Sequence, residues 1–180
     1  IKIKTRFLTA GECFAADLQK DTFVFNGRNR RPPKDAVNAL LSFAYTLLTN
    51  EITSALESVG LDPYVGFFHT LRPGRPSLSL DLIEELRAYM GDRFVLSLIN
   101  RRQLSGNDFH SQGEDGIIMT DAGKKTVISA WQNRKKEIIE HPYLKERIPI
   151  GLIPYAQAML LARFLRPVFS AILSLTFDVA

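Results

Sequence analysis

A mainly α-helical fold, several helices with one small β-hairpin inserted among them, is what this sequence of 180 residues predicts. Three observations carry that prediction. Apolar residues step by three and four through long stretches near 35–59, 77–103, 121–138 and 154–166. Most Gly and Pro residues fall between those stretches. Short alternating runs are concentrated in 104–120, around Gly106, Gly113 and Gly116, which is hairpin spacing.

The totals suit one good-sized domain. Hydrophobic residues make up 46% and charged residues 23%, enough apolar matter for a real core. The net charge of +4 is compatible with a nucleic-acid partner without requiring one. A single cysteine, Cys13, excludes an internal disulfide and a cysteine-rich zinc site, and suits the reducing cytoplasm. Its alternating apolar surroundings mark a buried structural thiol. No Gly-rich phosphate loop, G-x-S-x-G elbow or cysteine-based catalytic set is present. The run VFSAILSLTF is well short of the roughly 20 residues a membrane span needs.

In chain order, residues 1–34 read as the remnant of an upstream linker. Phe23 and Phe25 alternate, Asn26-Gly27 turns, Arg28, Arg30 and Arg31 are basic, and Pro32-Pro33 ends any regular element. Asp35 is the expected N-cap of a helix closed by Gly60, which would be about 36 Å long. Its apolar stripe is Val37, Leu41, Ala44, Leu48 and Ala55, with Glu51 in the gap. A carboxylate on a core stripe requires a cation, a metal or a water-filled cleft. The alternative is a slight rotation that gives the core position to Ile52 and sends Glu51 to solvent.

Pro63, Gly66, Pro73, Gly74 and Pro76 make 61–76 a turn-rich connection. A second helix is expected from Ser77 or Ser79 to about Gln103, on Leu80, Ile83, Met90, Phe94 and Leu98, with Gly91 as a bend. Thr120-Asp121 caps a third, carrying Val127, Trp131 and Ile138 and a basic face from Lys124 to Lys136. A last helix starts near Pro154 and stops before Pro167. Residues 35–166 form the helical domain and 167–180 an atypical apolar tail.

Among residues able to do chemistry, His69 follows an apolar run, where a histidine is ordinarily packed and hydrogen-bonded. Asp81 and Glu84 are three apart and share a helix face, yet acids also suit a first turn for dipole reasons alone. Together with Glu51 they gain a second meaning, because carboxylates and an imidazole make an open coordination set for Mg2+ or Mn2+. Arg72 and Arg75, beside His69, suit a phosphate or an ordinary solvated turn. His110 and His141 read as surface residues, and Asp178 lies in the tail.

RPPKD, NALLSF, Glu51, GFFH, LDLIEELR, INRRQ, DGIIMTDAGKKTV and PYAQAMLLARFLR follow one another in order over roughly 18–166. In this the sequence resembles the C-terminal helical domain of the CRISPR-associated integrase/endonuclease of spacer acquisition, nearest its type I subgroup. The resemblance implies a divalent metal, Mg2+ or Mn2+, on Glu51, His69 and Glu84, with Asp81 as a further nearby acid. It implies attack of a spacer DNA 3′-hydroxyl on a repeat-strand phosphodiester. DNA contacts would then come from Arg72, Arg75, Lys124, Lys125, Arg134 and Lys135. The partners implied are double-stranded DNA, a second copy of the chain and a small ferredoxin-like protein. The family's N-terminal β domain is largely absent, so the sequence reads as a catalytic domain, or alternatively as a non-catalytic helical DNA-binding or assembly fragment.

Overall fold

A computed structural model describes residues 23–177 apart from 26, 30, 31, 114 and 115. Cys13, Asn26, Arg30, Arg31 and Asp178 therefore lie outside the described residues. The elements are α1 (Ala36–Ser58), α2 (Ser77–Leu86), a π-helical turn (Arg87–Asp92) and α3 (Arg93–Asn100). They continue with β1 (Phe109–Ser111), β2 (Ile117–Met119), α4 (Asp121–Lys135), β3 (Ile138–Glu140), β4 (Arg147–Pro149) and α5 (Ile153–Phe177). The mainly helical class is what the structure has. Among the described residues no helix is long and apolar enough to cross a membrane.

Helix ends follow the chemistry of their residues. The Asp35 carboxylate accepts the Asn38 N–H at 2.7 Å and so caps α1. At the other end Gly60 has φ +82°, and the N–H groups of Gly60 and Leu61 close on the carbonyls of Glu57 and Leu56. That is the double bond pattern of a glycine-terminated helix. Thr120 Oγ1 accepts the Gly123 N–H at 3.1 Å and caps α4. The expected bend at Gly91 takes the form of the π turn, whose Met90 and Gly91 are buried.

The chain divides into two compact units. One holds the residues up to Thr46 together with Tyr89–Gln132. Its buried residues include Val37, Leu40, Ala44, Met90, Phe94, Leu98, Val127 and Trp131. Phe94 meets Trp131 edge-on with ring centroids 5.0 Å apart, and Phe23 meets Phe109 at 5.8 Å. β1 and β2 pair antiparallel with His110 opposite Ile118, the hairpin expected. Gly116 is obligatory there: its φ is +83°, and a Cβ would stand 2.4 Å from the Pro33 carbonyl oxygen.

The other unit holds Leu47–Ala88 with Asn133 onward. Leu48, Ile52, Leu56, Leu78, Ile83, Leu86, Ile150 and Ala158 are among its buried residues. β3 and β4 form a second antiparallel pair, Ile139 opposite Ile148.

Several expectations are corrected. The buried stripe of α1 runs Val37, Leu40, Ala44, Leu48, Ile52 and Leu56, so Leu40 replaces Leu41 and Ile52 takes the core position beside Glu51. Leu78, not Leu80, is buried at the start of α2. Ile138 belongs to β3 and is exposed, because α4 ends at Lys135. Helix α5 passes through Pro167, whose missing N–H leaves the Arg163 carbonyl without its usual helical donor. His141 is 1% exposed rather than on the surface. Its Nδ1 accepts the N–H groups of Tyr143 and Leu144, while the buried Nε2 has no hydrogen-bond partner among the described residues.

Asn38 is the polar hub of the first unit, fully buried. Its Oδ1 accepts from Arg28 Nη1 at 2.7 Å and Asn29 N at 3.1 Å, while Nδ2 donates to the Gly27 carbonyl at 2.9 Å and to Asp35 at 2.7 Å. Replacing it strands several groups at once. Asn38→Leu is expected to lower stability by about 2–4 kcal/mol, read as a shifted midpoint in chemical denaturation.

Candidate functional site

Residues 62–76 build a folded-back connection between α1 and α2. Asp62 Oδ1 accepts the Tyr64 N–H at 2.8 Å, and the Pro63 carbonyl accepts the N–H groups of Leu78 and Ser79, capping α2. Pro73-Gly74 makes a turn closed by Arg75 N–H on the Arg72 carbonyl at 3.0 Å, with Gly74 at φ +71°. Gly66 lies so close to α2 that a Cβ would stand 2.7 Å from the Ser77 carbonyl carbon.

Asp81 holds the centre of this connection. Its Oδ2 accepts the N–H groups of Phe67 at 2.6 Å and Phe68 at 3.1 Å, and its Oδ1 accepts the His69 N–H at 3.0 Å. The same Oδ1 meets His69 Nδ1 at 2.6 Å. The carboxylate side chain is only 5% exposed. Burial pushes its carboxyl up, but the His69 hydrogen bond and the backbone N–H groups of Phe68, Phe67 and His69 outweigh that and hold it below the ordinary 3.8. With Nδ1 engaged, Nε2 is the remaining ring nitrogen of His69, whose side chain is 28% exposed.

Glu51 lies on α1 at the margin of the buried stripe, its side chain 22% exposed, and accepts from Lys135 Nζ at 2.7 Å. Glu84 on α2 is half exposed and meets Arg87 at 2.8 Å, three residues along the same helix run. Glu51, His69 and Glu84 thus belong to one compact unit. As their side chains stand, no three His, Cys, Asp or Glu groups among the described residues converge on a point that could hold a metal ion. The donor set fits a hard divalent cation in kind, two carboxylates and one oriented imidazole. Asp81, also expected among the ligands, gives both oxygens to the backbone N–H groups and the His69 ring.

The basic residues divide. Arg72 is exposed and Arg75 half-buried, and among the described residues neither has an ion-pair partner. Lys125 is exposed. Lys124 pairs with Asp121 at 3.1 Å, Arg134 with Glu137 at 3.6 Å, and Lys135 with Glu51. The α4 basic face is therefore partly neutralised by acids of the chain itself. His110 is exposed, as expected.

Two features escaped the sequence reading. Lys135 reaches Glu51 across 84 residues, and no local pattern announces such a pair. Asp81 has a role invisible without the fold of 62–76.

Residues 12–133 match the family model described as CRISPR associated protein Cas1. A CRISPR-associated endonuclease Cas1 of Rhodospirillum rubrum is 61% identical over 144 residues, which is 80% of this chain and 42% of that protein. One of Chlorobaculum tepidum is 55% identical over 163 residues, 91% of this chain and 47% of the relative. The chain thus spans about half the length of these relatives. Among solved structures, a casposase bound to integration product superposes with a TM-score of 0.74 at 27% identity, over 82% of this chain and 42% of that one. A CAS1 protein from Thermotoga maritima gives 0.73 at 27% identity, over 83% and 47%. A Cas6-RT-Cas1–Cas2 complex gives 0.68 at 26% identity, over 82% and 16%.

Asp81→Asn is expected to loosen the 66–69 backbone, since an amide nitrogen would face an N–H group. Hydrogen exchange at Phe67, Phe68 and His69 should accelerate at least about tenfold while the α1 core stays protected. For the metal-free wild type the sign follows from the depressed carboxyl. Its stabilising contribution is full above 3.8 and lost as pH falls through the lower folded value, so the protection of these amides relative to their intrinsic exchange rate should fall only in acid.

Proposed function

The chain belongs to the CRISPR-associated Cas1 family, and from that premise we propose that it is the helical catalytic part of a metal-dependent DNA integrase/endonuclease. Its reaction is attack of a spacer DNA 3′-hydroxyl on a phosphodiester of a CRISPR repeat, the insertion step of adaptive antiviral defence. The observation that carries the reading is the Asp81-fixed His69, in the same compact unit as Glu51 and Glu84. Carboxylate-oriented imidazole is the arrangement by which metal-ligating histidines are held in one tautomer.

Glu51, His69 through Nε2, and Glu84 would hold Mg2+ or Mn2+. When bound, that ion aligns the hydroxyl, withdraws charge from the phosphate and stabilises the leaving oxygen. Asp81 keeps the His69 ring from rotating. Arg72 and Arg75 take up phosphate oxygens of the incoming strand, and Lys124, Lys125 and Arg134 contribute diffuse attraction to the duplex. Lys135 has a different part: it neutralises Glu51 and must yield before a cation can take that carboxylate. The neighbouring Cas1–Cas2 complex and the casposase bound to integration product support Cas and DNA partners; the working assembly we propose is a homodimer with a small ferredoxin-like protein, acting on double-stranded DNA.

The second reading is a non-catalytic DNA-binding or assembly module, favoured by the side-chain cations that face Glu51 and Glu84. Titration with Mn2+ separates the two. Metal binding abolished by Glu84→Gln supports catalysis, whereas DNA binding indifferent to Mn2+ supports the module.

In the full-length protein, Glu51→Gln, His69→Ala and Glu84→Gln are each expected to reduce Mn2+-dependent strand transfer at least about a hundredfold while a cooperative melting transition is retained. Activity near wild type in any of the three would sink the assignment. Lys135→Met is expected to tighten Mn2+ binding roughly three- to tenfold in a calorimetric titration, because a competing positive charge has gone. Unchanged or weaker binding would remove Lys135 from the site.

A further inference from the structure

Helix α3 ends in the same double bond pattern as α1, with a different residue at the left-handed position. The Arg102 N–H closes on the Ile99 carbonyl at 2.9 Å, and the Gln103 N–H on the Leu98 carbonyl at 3.0 Å. In α1 that position is Gly60, φ +82°; in α3 it is Arg102, φ +53°. Glycine takes this conformation freely, whereas the Cβ of any other residue crowds the backbone there. Leu98 and Ile99 before it and Leu104 after it are buried, so the exit is anchored on both sides.

Something other than the turn therefore keeps an arginine at this position. A cation near a helix C-terminus favours the dipole, but Arg101 already supplies one in an unstrained conformation, φ −81°. Both arginines are exposed, and among the described residues neither has an ion-pair partner. No acid occurs in the sequence between Arg93 and Asp108. Lys145, φ +59°, is the other non-glycine residue of this kind among those described, and it differs in having Glu146 directly beside it.

We propose that Arg101 and Arg102 form a backbone clamp for double-stranded DNA, each guanidinium taking a phosphate of the duplex. A guanidinium fork matches two phosphate oxygens, and each phosphate neutralised releases counterions. Such contacts fix where a duplex lies without reading its sequence. A duplex offers charges at regular intervals, which suits two adjacent unpaired cations on a fixed backbone. The pair belongs to the compact unit that carries neither His69 nor Glu84, so it adds no part of the cation site. The inference rests on the integrase reading and adds to it a point at which the duplex is held.

The test uses the full chain without divalent metal and a blunt DNA duplex, with affinity measured over a series of salt concentrations. Arg102→Gly removes the side chain and suits the left-handed turn, so its melting midpoint should equal or exceed that of wild type. Its duplex affinity should fall roughly tenfold, alike for duplexes of unrelated sequence. The slope of log affinity against log salt should be shallower by about 0.9, and by about 1.8 when Arg101→Gln is added. Arg102→Lys keeps the charge and should keep the wild-type slope. Wild-type affinity and slope in Arg102→Gly overturn the proposal, whatever its melting midpoint. So does an Arg102→Gly variant that binds duplex as wild type does but loses retention on poly-glutamate, since the pair would then serve an acidic protein. Failure of the catalytic reading has a separate signature, strand transfer retained in Glu51→Gln or Glu84→Gln.

Discussion

One buried carboxylate fixes the candidate site. Residues 66–69 cannot be held by burial of their own side chains, since Phe67 and Phe68 are exposed, and they belong to no helix or strand. Their conformation comes from three successive N–H groups directed at Asp81, from the Pro63 carbonyl on the start of α2, and from the close approach of Gly66. A carboxylate so nearly enclosed would be costly alone; four hydrogen bonds offset its lost water. Because one oxygen serves both the backbone and the ring of His69, loop geometry and histidine orientation are a single constraint. Neither can change without the other.

The two remaining acids are not equivalent. Glu84 meets Arg87 on the exposed surface of its own helix run, an interaction in the class worth about 0–1 kcal/mol, so it turns toward another cation at little cost. Glu51 is different: its partner Lys135 comes from a distant part of the chain, and both side chains are mostly screened from water. Screened pairs resist separation, because removing one partner leaves the other poorly compensated. Control over a cation's access therefore concentrates at Glu51. A charge that answers the core-stripe problem in the folded chain is also the charge that must be displaced.

Three helix limits were legible because their chemistry is local. Asp35, Gly60 and Thr120 act within a turn of their own positions, and each acts as its residue type suggests. Core register was less so: Leu40 and Leu41 are equally apolar, and only the surroundings choose between them. The π turn follows the same logic, since Gly91 announces a weak point but not its form. β3 and β4 are three residues each with charged members, too short for alternation to declare itself. Of the site, the residue types and their order were readable, while the partners were not. Asp81 fits a helix dipole equally well on paper, and Glu51 met the alternatives of cation, metal or solvent with nothing in the sequence to select Lys135.

The exposure of Phe68 follows from the same distinction between local and distant constraint. A turn that needed only to reverse the chain would take a small polar residue here, since what Asp81 accepts is the backbone N–H, which any residue but proline supplies. Leaving a phenylalanine side chain in water forgoes about 1.5–3 kcal/mol of burial. The fold does not recover it locally: the rings next to Phe68 are themselves outward, and the segment's geometry is already fixed by polar bonds. Side-chain identity at 67 and 68 is thus decoupled from the stability of the connection. That decoupling lets the aromatic surface answer to whatever approaches His69, and it is why those two positions can be varied without unmaking the histidine's support.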